Sequence, residues 1–240
     1  GDCDAIIVDD RALNQHTFIE GGSQKAQIYS TVDILDALVS LSSITHEEYL
    51  EYRTQLRRAE YFLVPLNNNE LLGHLNASTV KDNQVIETAE LKAIRENLLC
   101  VRMSSWLQLP KEAYWLDTSL QTFIQVLNDL WISDKNLSTV RARSEWILDQ
   151  VDTRGWTHRL GVEKGDQFVS VGRGANIMKM FMPLQDVSKE VQENYWNWIE
   201  EKILLPIKEQ NPDLYSWIVD MYKRQIAKLG DTYLAERVAK

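Results

Sequence analysis

The chain has 240 residues, which suits one large domain or two small ones, and 44% of its residues are hydrophobic while 25% are charged. This globular composition argues against intrinsic disorder, and 10 glycines with 5 prolines are too few for an all-β protein with many turns. The formal net charge of −9 is opposite in sign to the surface that duplex-DNA-binding proteins usually present, because phosphate contacts dominate their affinity.

Cysteine usage and hydropathy indicate the compartment. Cys3 and Cys100 are far apart in sequence, and so few cysteines in a chain of this length indicate a reducing environment. No apolar run approaches the roughly 18 residues that cross a bilayer. The N-terminal residues carry acids where a signal peptide has a basic region. We therefore predict a cytoplasmic protein that does not associate with a membrane.

The first element signal is a compact apolar run at residues 5–8, which is typical of a buried parallel strand. Asp9 and Asp10 end this run abruptly. Because the strand begins so close to Gly1, we expect the chain to be an excised piece, a processed product or the C-terminal part of a longer protein.

Helix signals follow this strand, and a second strand signal comes after them. Ser30 is a candidate N-cap for one helix, and Thr45 with Glu48 has the spacing of a capping box for the next. Residues 61–66 form another apolar run and predict a second buried strand. The order strand, helix, helix, strand is typical of an α/β layer fold.

From about residue 80 onward, apolar residues recur at helical spacing. We expect Pro206 to kink or end one of these helices. The fold class that we predict is mainly α, with a short N-terminal α/β segment over residues 1–78 and a helical domain over residues 79–240. The predicted helices of the second part cover residues 84–109, 116–131, 138–151, a stretch after Ser188 and a stretch after Asn211.

The candidate chemistry lies in three acids around the first strand, Asp4, Asp9 and Asp10. Open α/β sheets bind their ligands at the carboxyl ends of parallel strands. Carboxylates there can hold Mg²⁺ or Mn²⁺. Neighbouring strand residues point to opposite faces, so Asp9 and Asp10 share one site only where the strand has already ended. We favour Asp10 as the inward ligand, with Asp9 either supporting it from behind or serving as an alternative ligand.

A simpler interpretation of the two adjacent acids is structural. Acids at strand ends often accept hydrogen bonds from the following turn, and Asp9 or Asp10 could instead pair with Arg11. Spacing alone leaves both interpretations open.

Three stretches of the first 75 residues resemble the C-terminal half of a PIN-type nuclease domain. Residues 4–11, DAIIVDDR, are similar to the late strand of the family, which ends in its last metal-binding carboxylate. Residues 30–35, STVDIL, are similar to the helix that follows that strand, and residues 56–66, LRRAEYFLVPL, to the run into the closing strand. The most similar variants are bacterial PIN domains at the end of large multidomain proteins.

The resemblance implies a metal-dependent ribonuclease of a bacterial defence or stress system. Matched residue by residue, Asp10 carries over as a catalytic and metal-binding position, with Asp9 beside it and Asp4 as a weaker metal ligand. The other acids of the family are expected upstream of Gly1. The implied cofactor is Mg²⁺ or Mn²⁺, and the implied substrate is RNA.

A second function belongs to another class: a catalytically silent helical module that binds a protein partner or forms a homo-oligomer. The net charge of −9 and the tryptophan-rich helices favour it. We interpret Trp196 and Trp198 as packing residues, because burial between helices is more common at such spacing than base stacking.

Overall fold

The computed structural model describes residues 4–21, 24–61, 63–103, 109–133, 136–151, 174–181, 184 and 187–229. The fold is mainly helical, with a small N-terminal mixed sheet that includes a parallel strand pair, as the sequence predicts. The chain divides into two compact units. The first comprises Gly1–Ser78 and Glu87–Gln121, and the second comprises Thr79–Ile86 and Thr122–Lys240.

The sheet of the first unit contains β1 (Ala5–Ile7), β2 (Phe18–Gly21) and β3 (Gln24–Tyr29) in the order β1-β3-β2. β1 is parallel to β3, and β2 is antiparallel to β3. The parallel strand near the N-terminus is therefore confirmed. Its predicted burial is wrong, because the Ile7 side chain is 63% exposed and both faces of β1 reach solvent.

Two capped helices follow the sheet. In α1 (Thr31–Ser40), Ser30 and Asp33 form a reciprocal capping box, and in α2 (His46–Arg58), Thr45 and Glu48 form another. Each box satisfies backbone N–H groups that a helix start leaves without a partner. The predicted starts of both helices are confirmed.

The strand predicted at residues 61–66 is wrong, since Tyr61 and residues 63–66 have no strand pairing. Leu63 has a φ of 52°, which is incompatible with an extended strand. The carbonyl of Val64 accepts a hydrogen bond from the Trp115 indole, a side-chain donor rather than a neighbouring strand. This segment instead leads to Asn67, the N-cap of α3 (Asn68–Ala77). The first unit continues with α4 (Ala89–Met103), which packs against α2 and α3.

The second unit opens with a hairpin where the sequence predicts the start of a helix. β4 (Thr79–Lys81) and β5 (Gln84–Ile86) are antiparallel and joined by Asp82 and Asn83, whose φ values are 52° and 59°. Two consecutive positive φ values are typical of a tight hairpin turn, and Asp and Asn tolerate them best. The helix predicted from residue 84 therefore begins at Ala89.

α5 (Pro110–Ser133) begins in the first unit and ends in the second, and Pro110 starts this helix. The second unit adds α6 (Leu137–Val151), α7 (Lys189–Ile199), α8 (Leu205–Gln210) and α9 (Pro212–Leu229), and residues 174–180 are also helical. A π-helical turn, Glu200–Leu204, joins α7 to α8. Pro206 lacks the N–H that a regular helix would use here, and the wider turn carries the chain past it.

The core of the second unit contains a cluster of buried aromatic side chains. Trp196 is 5% exposed and Trp198 is fully buried, which confirms their packing role. The Trp198 ring stacks on Tyr195 and lies against Trp131. Such pairs add directional contacts to a large buried area. Among the helices that the structure describes, none is both long and apolar enough to cross a membrane.

Candidate functional site

A cavity of about 390 Å³ lies beyond the C-terminal end of β1, and all of its lining residues belong to the first unit. The turn after β1, the start of α1, the segment before α3 and the first turns of α5 form its walls. Its ionisable side chains comprise four carboxylates, one histidine, two cations and two tyrosines: Asp9, Asp10, Asp33, Asp36, His16, Arg11, Lys111, Tyr61 and Tyr114.

Asp9 and Asp10 both line this cavity. Strand β1 ends at Ile7, so the alternation of strand side chains no longer applies at residues 9 and 10. The condition under which two adjacent acids share one site is therefore met.

One of the two oxygens of the Asp10 carboxylate accepts hydrogen bonds from the backbone. Its Oδ1 atom accepts hydrogen bonds from the Ala12 N–H at 2.9 Å and the Leu13 N–H at 2.8 Å. This arrangement is an Asx-type turn, which stabilises the short 3₁₀ helix Leu13–Gln15. Oδ2 of Asp10 accepts no hydrogen bond from the part of the chain that the structure describes, so that oxygen is open to a ligand.

The Asp9 carboxylate connects the end of β1 to the start of α1. Its oxygens accept hydrogen bonds from the Thr31 N–H at 2.8 Å and the Thr31 hydroxyl at 2.7 Å, and a third comes from the Tyr61 hydroxyl. Burial alone would raise the pKa of Asp9, but these donors outweigh it and lower the pKa below the ordinary value of 3.8. Asp9 is therefore ionised at neutral pH.

The two cations of the cavity are engaged by protein groups. The Arg11 guanidinium forms an ion pair of 2.6 Å with Glu112, which is 1% exposed. The Lys111 amino group donates to the Asn14 carbonyl, and the Lys111 N–H donates to the Gln15 side chain at 2.9 Å. These contacts hold the first turn of α5 against the turn after β1.

The third predicted acid is not part of this site. Asp4 lies at the opposite end of β1, is exposed and does not line the cavity. Its backbone carbonyl accepts a hydrogen bond from the Gln27 N–H and so belongs to the sheet.

The described residues do not form a complete metal site. Within the ranges that the structure describes, no group of three or more His, Cys, Asp or Glu side chains is arranged to hold a metal ion. Asp9 and Asp10 alone are fewer than the ligands that a Mg²⁺ or Mn²⁺ ion takes. An ion bound by Asp9 and Asp10 would need further ligands.

Five ionisable residues of the cavity were not singled out from the sequence: Asp33, Asp36, Tyr61, Lys111 and Tyr114. The signal for Asp33 is its position three residues after Ser30, which predicts a capping box, and Asp36 follows one turn later on the same helix. Tyr61 has no such signal, because it begins an apolar run that predicts a strand.

Comparison with known proteins identifies no relative: no family model, no curated protein and no solved structure matches the chain.

Proposed function

We propose that this chain contributes Asp10 and Asp9 to the active site of a PIN-type ribonuclease that hydrolyses RNA phosphodiester bonds. The observation that supports the proposal most is that both acids line one cavity at a strand end, with Oδ2 of Asp10 open. Parallel strand ends are the usual ligand sites of α/β sheets. The resemblance of residues 4–11 supplies the reaction class.

The roles of the two acids differ. Asp10 has an open oxygen that can contact a ligand, whereas both oxygens of Asp9 accept hydrogen bonds from Thr31 and Tyr61. We therefore assign Asp10 to direct contact and Asp9 to the electrostatics of the site, as a carboxylate that stays ionised.

Mg²⁺ or Mn²⁺ remains the proposed cofactor on the strength of the resemblance alone. In nucleases such ions activate water and stabilise the leaving oxygen. The proposal requires ligands in addition to Asp9 and Asp10, because the described side chains do not complete a metal site. A cytoplasmic role in bacterial defence or stress is part of the same proposal.

The test is cleavage of end-labelled single-stranded RNA, with Mn²⁺ present, by the longest form of the protein that can be expressed. Asp10→Asn is the decisive variant, because it removes the charge while its side-chain oxygen can still accept from the Ala12 and Leu13 N–H groups. We expect the cleavage rate to fall on the order of 100-fold or more.

Asp117→Asn is the matched control. Asp117 is an exposed acid of the first unit that does not line the cavity, so this variant should cleave RNA at the wild-type rate. Well-folded wild-type protein without activity would overturn the nuclease proposal. That result would favour the helical interaction module, for which light scattering of the purified protein would then show any homo-oligomer.

A further inference from the structure

We infer that Asp36 is a further functional carboxylate of the cavity, which accepts a hydrogen bond from the bound ligand. Tyr49 is the residue that positions it. This inference rests on the proposed function, because it assigns roles within the same site. It starts from a buried cluster of charges behind the cavity wall.

Two arginines of α2 share one glutamate of α3. Arg53 lies 3.0 Å from Glu70 and Arg57 lies 2.6 Å from it, and these three residues are only 2–3% exposed. Both guanidinium groups also donate to the Pro65 carbonyl, and Pro65 lines the cavity. With two cations and one anion, this cluster carries an excess positive charge. A buried excess charge is costly unless other polar groups reach it.

Tyr49 extends the cluster towards the cavity. Nη1 of Arg53 donates to the Tyr49 hydroxyl at 2.9 Å, and the same hydroxyl lies 2.6 Å from Oδ1 of Asp36. A guanidinium has donors and no acceptor, so the Tyr49 oxygen must accept from Arg53. The single hydroxyl hydrogen of Tyr49 is then directed to Asp36. The direction of both hydrogen bonds is thereby fixed.

This arrangement leaves Asp36 anchored at one oxygen and open at the other. Asp36 lines the cavity that Asp9 and Asp10 line, and its side chain reaches solvent. Oδ2 of Asp36 accepts no hydrogen bond from the part of the chain that the structure describes. A carboxylate held from behind by a buried donor loses little freedom when a ligand binds, which is how positioned site residues are built.

An open carboxylate oxygen can accept a hydrogen bond, and in this inference its donor is an O–H group of the reacting molecules. In the proposed reaction that donor has two sources, the 2′-hydroxyl of the RNA ribose or a water molecule at the phosphate. The 2′-hydroxyl is absent from DNA, so comparing RNA with DNA of the same sequence distinguishes the two.

The test measures cleavage by wild type, Asp36→Asn, Tyr49→Phe and the double variant, with Asp10→Asn alongside. We expect Asp36→Asn to lower the RNA cleavage rate by at least roughly tenfold, since a hydrogen bond to a charged acceptor is lost. Tyr49→Phe should lower it less, and should lower it no further in the Asp36→Asn background, because Tyr49 acts through Asp36. Tyr52→Phe, on the same helix and outside the cavity, is the control and should match wild type.

Each outcome has one meaning. Wild-type protein without cleavage, or Asp10→Asn with full activity, overturns the proposed function and this inference with it. Loss of activity in Asp10→Asn with full activity in Asp36→Asn overturns the inference alone. Additive effects of the two substitutions would show that Tyr49 does not act through Asp36. If wild type cleaves both nucleic acids, a loss in Asp36→Asn on RNA but not on DNA assigns the donor to the ribose, and an equal loss assigns it to water. If wild type cleaves RNA alone, a loss of RNA affinity in Asp36→Asn assigns the donor to the ribose, and unchanged affinity with slower cleavage assigns it to water.

Discussion

Asp9 and Asp10 are neighbours in sequence, yet their carboxylates bind different parts of the backbone. Asp9 accepts hydrogen bonds from Thr31 at the start of α1, and Asp10 accepts them from the turn at Ala12 and Leu13. The structural and the functional interpretations of these acids are therefore compatible. Each carboxylate stabilises a local structure while it lines the cavity.

This dual role changes what an alanine substitution at Asp10 measures. Asp10→Ala would remove the two hydrogen bonds to Oδ1 together with the open oxygen, so it would change the turn as well as the cavity. We expect Asp10→Ala to lower the free energy of unfolding by about 1 kcal/mol and Asp10→Asn to lower it less. Urea denaturation of both variants checks this. Equal stability of Asp10→Ala and wild type would show that the turn does not depend on Asp10.

The lowered pKa of Asp9 has a consequence for stability at acid pH. A carboxyl whose pKa is lower in the folded protein adds stability that is complete above its ordinary pKa of 3.8 and is lost as the pH falls through the lowered value. We expect the melting temperature of wild type to fall more steeply than that of Asp9→Asn between about pH 5 and about pH 3. Other acids contribute equally to both proteins, so parallel curves would contradict the assignment.

At the scale of elements, the join between α2 and α3 depends on Glu70. Burial alone would raise the pKa of Glu70, but Arg57 and Arg53 outweigh it and lower the pKa, so the carboxylate is ionised. Glu70→Gln leaves two buried arginines without their shared anion. We expect the free energy of unfolding to fall by about 3–5 kcal/mol.

The control for Glu70→Gln is Glu51→Gln, on the exposed face of α2, where Glu51 accepts a single side-chain hydrogen bond from Gln55. It should change stability by less than about 0.5 kcal/mol. A Glu70→Gln variant as stable as this control, by urea denaturation, would show that the arginine pair does not need its anion.

The helix starts of the first unit could be predicted because capping is a local property of the sequence. Ser30 with Asp33, and Thr45 with Glu48, specify their boxes within four residues. The strand predicted at residues 61–66 is wrong because a continuous apolar run has no periodicity, and so it cannot distinguish a strand from a buried loop. In this segment, side chains of α2 and α5 donate hydrogen bonds to the carbonyls of Pro65 and Val64.

At two further places the observed elements differ from the predicted ones because of a single turn. The hairpin at residues 79–86 depends on positive φ values at Asp82 and Asn83, a signal weaker than the helical spacing that follows it. Pro206 was expected to kink or end a helix, and the π-helical turn Glu200–Leu204 lets the helix continue into α8.

At the scale of the whole molecule, the candidate site belongs to the first unit alone. The sequence indicated its position through Asp9 and Asp10, since strand-end acids are visible in a linear pattern. It did not indicate Asp36 or Tyr61, because α1 and the segment before α3 reach the cavity through tertiary packing. The sequence also did not indicate the buried charges behind the cavity wall, because Arg53 and Glu70 are 17 residues apart in the chain.

The net charge of −9 bears on how RNA would bind. The bulk field of an acidic protein opposes non-specific contact with phosphates. Arg11 and Lys111, the cations at the cavity, already bind protein groups. Under the proposed function, RNA would therefore have to bind through local contacts at the cavity.

The most direct test of the proposed function is the ratio of RNA cleavage rates between wild type and Asp10→Asn, measured with Mn²⁺ on folded proteins of matched stability. We expect a ratio on the order of 100 or more, with Asp117→Asn at the wild-type rate. A ratio near one, or a wild-type protein that leaves the RNA intact, would contradict the assignment of Asp10 to a nuclease active site.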